Sequence, residues 1–346
     1  MLPSVIAAPR EAPRPYEQAL LEAPRRWLVT GAAGFIGSHL VEALLALGQE
    51  VVALDNFSTG TRANLEAARA SAEAGRLRVV EGDIRDRDLC ERACDGARHV
   101  LHQAALGSVP RSIAAPLETL AVNVTGFTNV LEATRACGAT IVYASSSSVY
   151  GDAPELPKRE EAIGRPLSPY AASKRADELI AASYRACYGL ACVGLRYFNV
   201  IGARQRPDGP YAAVVPRWID ALARGEAPVV FGDGLTSRDF CPVANVVEAN
   251  LRAACLDDPD DPLAIYNVAL GERTTLLELL SLLQSALAAR GAPCQAIEPR
   301  REPPRAGDIR HSLADISRAR DRLGYAPRVS LREGLERAID DVWPRG

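Results

Sequence analysis

A tyrosine and a lysine four residues apart, in the segment SPYAASKRADE, are the first residues of this chain that could perform chemistry. A helix places positions i and i+4 on one face, so the Tyr170 phenol and the Lys174 ammonium can share one small volume. A neighbouring positive charge stabilises a phenolate and lowers a tyrosine pKa from about 10 towards working pH. The spacing alone is common on helix surfaces. A glycine-rich loop and a run of four serines from Ser145 to Ser148 make it informative here.

The glycine-rich loop holds Gly31, Gly34 and Gly37, follows the run WLVT and opens the helical pattern FIGSHLVEALLALG. Glycines allow a tight turn and a close approach of the backbone to a pyrophosphate, and the helix start supplies amide donors. Eighteen residues after Gly37, Asp55 ends the run EVVALD. Its carboxylate can accept both hydroxyls of an adenosine ribose and would repel a 2′-phosphate, so the sequence predicts NAD rather than NADP. We interpret the downstream Arg62 as a solvated helix residue.

Two further segments could contribute to the cofactor site. Asp83, in EGDIRD, ends a third predicted strand. Its carboxylate either meets an adenine amino group or caps the helix predicted over 86–95, and both interpretations stay open. In HVLHQAA, the small residues that follow His102 could lie beside a cofactor, and His102 itself is interpreted as structural.

The positions of these motifs depend on a regular alternation of strands and helices. Strands are predicted for RRWLVT, EVVALD, RLRVVEGD, RHVLHQA, ATIVYASS, ACVGLRYF and AIYNVAL, and helices for 33–47, 61–74, 86–95 and 116–137 between the first five. Such βαβα alternation predicts an α/β fold: a doubly wound parallel Rossmann sheet with helices on both faces. Ligands bind outside the carboxyl ends of such strands, where the motifs fall.

Three parts of the chain differ in residue composition and in the pattern of predicted elements. Residues 1–24 contain five prolines and predict an irregular arm with a short helix from Tyr16 to Glu22. Residues 25–200 and 245–275 are assigned to an NAD-binding domain. The Pro-, Gly- and Arg-rich 201–244, with 276–346, are assigned to a smaller C-terminal substrate lobe.

Composition excludes several classes of function. A net charge of −3 gives no basic surplus that would favour binding to a nucleic acid. The sequence contains no run of about 18 apolar residues, so no membrane-spanning helix is predicted. The eight cysteines are scattered and the four histidines form no ligand-like cluster, which predicts no metal site and reduced thiols in a cytoplasm.

Together the motifs resemble the extended branch of the short-chain dehydrogenase/reductase superfamily and, within it, the UDP-sugar 4-epimerases. The resemblance runs from Trp27 to about Tyr325 and is closest to bacterial UDP-N-acetylglucosamine 4-epimerases of O-antigen synthesis. It rests also on the segments LDNFSTG, HQAALGSVPRS, YASSSSVYGD, LRYFNVIG, GDGLTSRDF and RAGDIRHSLAD.

The resemblance implies a mechanism in which a hydride passes from the sugar C4 to NAD and returns to the other face of a 4-keto sugar. Tyr170 would act as base and then acid, Lys174 would favour its ionisation and hold the nicotinamide ribose, and Ser146 would bond the 4-oxygen. The implied cofactor set is Gly31, Gly34, Phe35, Ile36, Gly37, Asp55, Asn56, Asp83, Ile84, Gln103, Ala104, Ala105, Lys174 and Tyr197.

The resemblance also implies the residues that bind a UDP-sugar, which are Ser146, Ser147, Tyr170, Asn199, Phe231, Arg238, Arg305, Asp308 and Ser312. Arg238 and Arg305 would clamp the pyrophosphate with help from Asn199, and Asp308 would hold the uridine ribose. Phe231 would shape the uracil pocket, while Tyr197 and Phe198 would line the sugar pocket. Gly107, in the segment HQAALGSVPRS, is assigned no role in substrate binding.

Two serine positions narrow the expected reaction. Dehydratases of this superfamily carry an Asp-Glu pair where this chain has Ser147 and Ser148, and the related decarboxylases carry a Glu at the second place, so simple epimerisation is expected. The small Ser312 would admit an N-acetyl group, and Ser147 could contact it. The expected substrates are therefore UDP-N-acetylglucosamine and UDP-N-acetylgalactosamine, with UDP-glucose a weaker one.

Alternatives remain open. One is a UDP-glucose or UDP-glucuronate 4-epimerase, for which Arg111 could meet the uronate carboxylate. Another is a non-catalytic, NAD-binding regulatory protein on the same fold.

Family members usually pair two long helices per subunit, which predicts a homodimer through 116–137 and 169–189.

Overall fold

A parallel β-sheet of seven strands forms the centre of the protein, in a computed structural model that describes residues 14–207, 213–256, 261, 264–294, 297–304 and 309–343. The strands of the described residues are β1 (Arg26–Thr30), β2 (Glu50–Asp55), β3 (Leu77–Glu81), β4 (His99–His102), β5 (Thr140–Ser146), β6 (Cys192–Tyr197), β7 (Val200–Ile201), β8 (Val229–Phe231), β9 (Ser237–Arg238), β10 (Cys241–Pro242), β11 (Ile265–Val268), β12 (Thr274–Thr275) and β13 (Arg300–Glu302). The central sheet has the order β11-β6-β5-β4-β1-β2-β3. Every neighbouring pair in it is parallel.

Helices cover both faces of this sheet. They are α1 (Pro15–Glu22), α2 (Phe35–Ala46), α3 (Ala63–Ser71), α4 (Arg87–Cys94), α5 (Val109–Ala114), α6 (Pro116–Leu120), α7 (Phe127–Cys137), α8 (Pro169–Tyr188), α9 (Val214–Ala223), α10 (Val243–Ala254), α11 (Leu276–Ala288), α12 (Ser317–Leu323) and α13 (Leu331–Val342). On one face, α2 and α10 bury Leu40 and Val246. On the other face, α7 and α8 bury Leu131 and Ala181.

All seven predicted strands are confirmed as members of the central sheet. The segment AIYNVAL returns to it as β11, which pairs with β6. The order of the strands reverses between β1 and β4, where Thr30 lies opposite His102 at the carboxyl ends. This switch point brings the glycine loop next to the residues that follow His102.

The C-terminal segments contribute a separate hydrophobic cluster, in which Trp218 of α9, Leu283 of α11 and Ile339 of α13 are buried together. Among the described residues no helix has both the length and the apolar composition that a membrane crossing requires. The predicted boundaries of the domain and the lobe stay predictions.

The helix predicted over 116–137 is interrupted. Between α6 and α7, residues Ala121–Gly126 form a π-helical turn. Its fully buried Asn123 accepts a hydrogen bond from the Leu106 amide at 2.8 Å and donates one to Ser173 Oγ at 3.0 Å. The wider turn gives this amide side chain room to reach partners on two other segments.

The short helix predicted in the N-terminal arm is confirmed as α1, and the arm packs on the body from Arg14 onward. Leu20 is buried, and the Gln49 side chain donates to its carbonyl at 2.8 Å. Arg14 Nη1 lies 2.8 Å from Glu248 Oε2 of α10. The Arg252 guanidinium, also on α10, lies over the Tyr16 ring at 4.9 Å.

Candidate active site

One cleft of about 870 Å³ opens at the carboxyl ends of the central strands and gathers the chemical motifs. Tyr170, Lys174 and Ser146 line it together, as do the glycine loop and Asn199. The other predicted site residues in its wall are Phe35, Ile36, Asp55, Asn56, Asp83, Ile84, Gln103, Ala104, Ala105, Ser147 and Tyr197. Gly107, to which the sequence assigned no role, also lies in this wall. Residues separated by more than 160 positions in sequence therefore meet in one cavity.

The glycine loop is shaped by contacts that exclude a side chain. A Cβ on Gly37 would lie 2.0 Å from the Gly31 carbonyl oxygen, and Gly31 has φ +64° with the Ala104 amide nitrogen 2.7 Å from its ideal Cβ position. Gly34 caps α2, and no side chain caps this helix start. The amides at the start of α2 therefore lie beside the cleft, where a helix N-terminus favours an anion.

Asp55 holds the loop in place. One carboxylate oxygen accepts the Ala33 amide at 2.8 Å and the other accepts the Phe57 amide at 2.7 Å. Burial raises the pKa of Asp55, and these two amide bonds oppose the rise. Carboxylate oxygens have further lone pairs for ribose hydroxyls. Arg62, outside this cavity wall, stacks its guanidinium over the Phe57 ring at 4.1 Å and bonds Glu81 at 2.6 Å.

Asp83 lies in the cleft wall but does not cap α4, so the capping interpretation is wrong. Asp86 caps this helix instead, since its Oδ1 accepts the Leu89 amide at 3.0 Å. Asp83 accepts from the Asn56 side chain at 2.9 Å. Hydrogen bonds from the Arg85 guanidinium lower the pKa of Asp83 to about 2, so its carboxylate is ionised at neutral pH.

The predicted catalytic pair, Tyr170 and Lys174, lies in the first two turns of α8. Ser168 caps the helix by accepting the Ala171 amide at 3.1 Å, and Pro169 occupies its first turn. Tyr170 is thus close to the positive end of the helix dipole. Lys174 follows one turn later and is 2 % exposed.

The serine run ends β5 beside this helix. Ser146 Oγ accepts the Ser148 amide at 3.1 Å, so its own proton can be donated into the cleft. Ser145 Oγ donates to Glu178 Oε1 at 2.7 Å. Glu178 also binds the buried Arg196 guanidinium through two contacts of 2.8 and 2.9 Å. This buried network ties the serines to α8.

Sequence reasoning missed Glu178 and Asn250. The signal for Glu178 was its place four residues after Lys174, on the same face of the helix. Asn250 of α10 donates to the Tyr197 hydroxyl at 2.8 Å and accepts from the Gln103 side chain at 3.2 Å. No local signal marked Asn250, because both partners come from distant strands.

Phe198 does not line the cleft, contrary to the prediction. It is fully buried in a separate cluster with Tyr150 and Ile316. Successive residues at a strand end point to opposite sides, so Tyr197 lies in the cavity wall and Phe198 turns away from it.

His102 does not line the cleft, in agreement with its interpretation as a structural residue. Its Nδ1 lies 2.9 Å from Thr30 Oγ1, and burial lowers the pKa of His102 to about 3.

A second cavity of about 480 Å³ adjoins the cleft and shares Asn199 with it. Phe231 and Arg238 line it, together with Arg217 and Arg300. Asn199 Nδ2 donates to the Asp239 carbonyl at 3.1 Å. The Asp239 carboxylate in turn accepts the amides of Leu270, Gly271 and Ala314 at 3.0 to 3.2 Å.

The remaining predicted residues lie elsewhere. Ser312 is not in the wall of either cavity. Its amide donates to the Ser237 carbonyl at 3.0 Å, one residue from Arg238. Arg305 and Asp308 lie outside the described residues. Arg111 lines the cleft. Among the described residues no group of three or more His, Cys, Asp or Glu is placed to hold a metal ion.

The cleft fits NAD on two observations. The glycine loop leaves a backbone cradle that a single Cβ at Gly37 would fill. Asp55 and Asp83 supply carboxylates at the ends of β2 and β3.

Known proteins agree with this geometry. Residues 27–269 match the NAD dependent epimerase/dehydratase family. The chain is 41 % identical over 318 residues to a UDP-glucose 4-epimerase of Mycolicibacterium smegmatis, covering 91 % of this chain and 97 % of the relative. It is 34 % identical to UDP-glucuronate 4-epimerase 3 of Arabidopsis thaliana, covering 90 % and 74 %.

Two solved structures are similar throughout. A UDP-N-acetylglucosamine 4-epimerase from Methanobrevibacter ruminantium M1, in complex with UDP-N-acetylmuramic acid, shares 37 % identity and a TM-score of 0.85, covering 92 % of this chain and 98 % of that one. A UDP-glucose 4-epimerase of Thermus thermophilus in complex with NAD shares 37 % identity and a TM-score of 0.78, covering 91 % and 98 %. The chain belongs to the NAD dependent epimerase/dehydratase family and is an NAD-dependent epimerase.

Proposed function

We propose that this isomerase interconverts UDP-N-acetylglucosamine and UDP-N-acetylgalactosamine by inverting C4 of the sugar. The epimerase chemistry of this proposal is carried by the meeting of Tyr170, Lys174 and Ser146 in one cleft with the glycine loop. The N-acetyl preference rests on the small Ser312 that the resemblance implies at the 2-substituent. The coarser statement, that the chain is a UDP-sugar 4-epimerase, is supported by relatives that act on three different UDP-sugars.

In this proposal the Tyr170 phenolate removes the proton of the sugar 4-hydroxyl and returns it when the 4-oxygen is reduced again. Ser146 donates a hydrogen bond to the 4-oxygen, which carries most negative charge as its proton leaves. The Lys174 ammonium stabilises the phenolate. When bound, NAD supplies the reversible oxidation of C4. The proton and the electrons removed in the first half are restored in the second, so no external reductant is consumed.

The serines limit the chemistry to epimerisation. Ser147 lines the cleft, whereas Ser148 Oγ is buried and has no hydrogen-bond partner among the described residues. Neither hydroxyl titrates near neutral pH, so neither position offers the extra acid or base that elimination of water needs. This supports an epimerase rather than a dehydratase.

The UDP moiety is assigned to the second cavity, in the proposed substrate lobe of 201–244 and 276–346. Arg238 lines it and, with Arg305, provides the proposed pyrophosphate clamp, because guanidinium groups bind phosphate bidentately. Phe231 is assigned to the uracil, and Asp308 to the uridine ribose. Asn199, in the wall of both cavities, is assigned to the junction of sugar and diphosphate.

The test of the function is a substrate panel. We expect the purified protein to convert UDP-N-acetylglucosamine faster than UDP-glucose or UDP-glucuronate, without added reductant, when the C4 epimers are resolved. Faster conversion of UDP-glucose would contradict the N-acetyl preference and keep the epimerase. No conversion of any of the three would favour the non-catalytic, NAD-binding alternative.

UDP-glucuronate is the second candidate substrate, because Arg111 lines the same cleft as Tyr170 and carries a positive charge suited to a carboxylate. In the panel this alternative requires UDP-glucuronate to be the fastest of the three, and an Arg111→Gln variant to lose that rate selectively.

The proposed preference for the N-acetyl group gives a prediction for Ser312. Ser312 lies outside both cavity walls, but its amide bonds Ser237, the neighbour of Arg238 in the second cavity. The longer tyrosine side chain is proposed to extend from there towards the acetamide, so we expect Ser312→Tyr to lower kcat/KM for UDP-N-acetylglucosamine by about 10- to 100-fold relative to UDP-glucose. Ser312→Ala, which stays small, serves as the control. Equal losses on both sugars in the tyrosine variant would contradict the role of Ser312.

We also propose a homodimer formed through α6, α7 and α8. Leu117 of α6 is 82 % exposed, and Ile113 and Leu179 are exposed on the adjoining α5 and α8. Large apolar side chains exposed on adjoining helices favour burial against a second copy. We expect Leu117→Glu to sediment as a monomer at concentrations where the parent is a dimer, and Leu235→Glu, on another surface, to remain a dimer. A Leu117→Glu variant that stays dimeric would place the interface elsewhere.

A further inference from the structure

A buried carboxylate, that of Asp177, contacts the ammonium of Lys174, the proposed catalytic lysine. Asp177 Oδ2 lies 3.2 Å from Lys174 Nζ, and the two side chains are only 1 % and 3 % exposed. The second carboxylate oxygen, Oδ1, is buried and has no hydrogen-bond partner among the described residues. A buried, half-satisfied carboxylate is costly, and its contact with Lys174 is the feature that compensates for it.

Other charged groups around this pair are already satisfied or neutral. Glu178, the next residue on α8, is held by two guanidinium groups, those of Arg196 and Arg175. His102 of β4 faces Lys174 with a pKa lowered to about 3 by burial, and burial raises the pKa of Tyr143 of β5 well above its ordinary value. Both are therefore neutral at working pH.

The remaining elements that pack on α8 bring no charge to Asp177. The π-helical turn has no titratable side chain. Among the described residues, the charged or titratable groups of the other packed elements are engaged elsewhere. Arg111 of α5 and Glu118 of α6 line the cleft. On α7, Glu132 bonds Tyr184 and Arg135, and Cys137 contacts Cys94. Tyr150 bonds Asn267, and burial keeps the Cys192 thiol neutral by raising its pKa to about 12. Lys174 is thus the cation that Asp177 acts on.

We infer that Asp177 is a positioning residue for the epimerase reaction: it holds the Lys174 ammonium and, by offsetting its charge, sets the pH at which Tyr170 becomes a base. The inference rests on the proposed role of Tyr170 as the base. Asp177 itself touches neither the cleft nor the reacting atoms, and it acts through Lys174.

The direction of the effect follows from the two charge states of Asp177. An ionised Asp177 partly cancels the ammonium charge, so the Tyr170 phenolate is stabilised less. A protonated Asp177 leaves the full charge of Lys174 to act on the phenol. Burial raises the pKa of Asp177 to about 7, and Lys174 opposes the rise. Asp177 is therefore neutral below about pH 7 and ionised above it, which makes the acid limb of the kcat profile broad.

Asp177→Asn keeps the shape of the side chain and removes its charge at every pH. We expect the acid limb of kcat to move to lower pH by about one unit and to become steeper, with the plateau at high pH unchanged. Asp340→Asn, which removes the same charge from α13 where Asp340 bonds Arg290, is the control and leaves the limb in place. A lower plateau with an unmoved limb would overturn the inference, because it would show a structural role only.

A second measurement does not depend on turnover. The ultraviolet absorbance of tyrosinate is titrated in the parent protein and in Asp177→Asn, and each curve is corrected with its Tyr170→Phe counterpart, which isolates one of the ten tyrosines. We expect the midpoint of the Tyr170 signal to fall by about one unit in Asp177→Asn. Equal midpoints would overturn the inference even if every UDP-sugar fails as a substrate. Asp177→Ser repeats the test if the asparagine variant does not fold.

Discussion

Tyr170→Phe is expected to lower kcat for UDP-sugar epimerisation by about 10³-fold while leaving the fold intact. The change removes one oxygen at the start of α8, and with it the group that takes and returns the proton of the 4-hydroxyl. Positioned acid–base groups contribute about 10² to 10⁴ in rate, and here one residue serves both half-reactions. The measurement is single-turnover and steady-state conversion of UDP-N-acetylglucosamine, with thermal unfolding recorded alongside.

The matched control is Tyr184→Phe on the same helix. Tyr184 donates to Glu132 at 2.6 Å and is not part of the cleft wall, so its loss is expected to cost about 1 kcal/mol of stability and little activity. If Tyr170→Phe retains more than a tenth of the parent kcat, Tyr170 is not the base. The proposal would then have to assign the proton to another group in the cleft.

Gly37→Ala is expected to weaken the binding of NAD by about 100-fold and to destabilise the protein. The added Cβ would lie 2.0 Å from the Gly31 carbonyl oxygen, and the obstacle is backbone, which cannot rotate away. Overpacking of this kind costs roughly 1–3 kcal/mol, and displacement of the loop by about 1 Å would weaken a positioned ligand about 100-fold. The readouts are the NAD that copurifies with the protein and the Kd of added NAD.

Gly138→Ala is the control for Gly37→Ala, because it adds backbone strain at a positive φ without a steric overlap. Gly138 ends α7 with φ +70° and has no atom within 4 Å of its ideal Cβ position, so this variant is expected to lose about 1 kcal/mol of stability and no NAD. If the Gly37→Ala variant binds NAD as tightly as the parent, the glycine loop does not bind the pyrophosphate.

The sheet and most of the cleft were predictable because their signals are local. Each strand is a short β-rich run, and the motif residues follow it directly, so their meeting at one edge follows from parallel pairing alone. The alternation of side chains along β6 is also a local signal, and it separates Tyr197 from Phe198.

Features that depend on distant partners escaped prediction. Asp83 and Asp86 both fit a capping pattern, and only the turn between β3 and α4 selects Asp86. The π-helical turn arises because Asn123 bonds Leu106 and Ser173, which lie on other segments. Nothing in the sequence distinguishes Asp177 from other charged helix residues, because the burial on which its proposed role rests depends on the packed fold.

Asn199 has a consequence for how such a protein can change its substrate during evolution. In the proposed assignment the nucleotide and the reacting sugar meet at one shared residue, Asn199, which lines both cavities and whose amide is fixed by the Asp239 backbone. A substitution that adapts the protein to another nucleotide therefore also shifts the sugar relative to Tyr170. Changes at the far end of the sugar carry no such penalty, so on this assignment the accepted sugar can change at less cost to activity than the nucleotide.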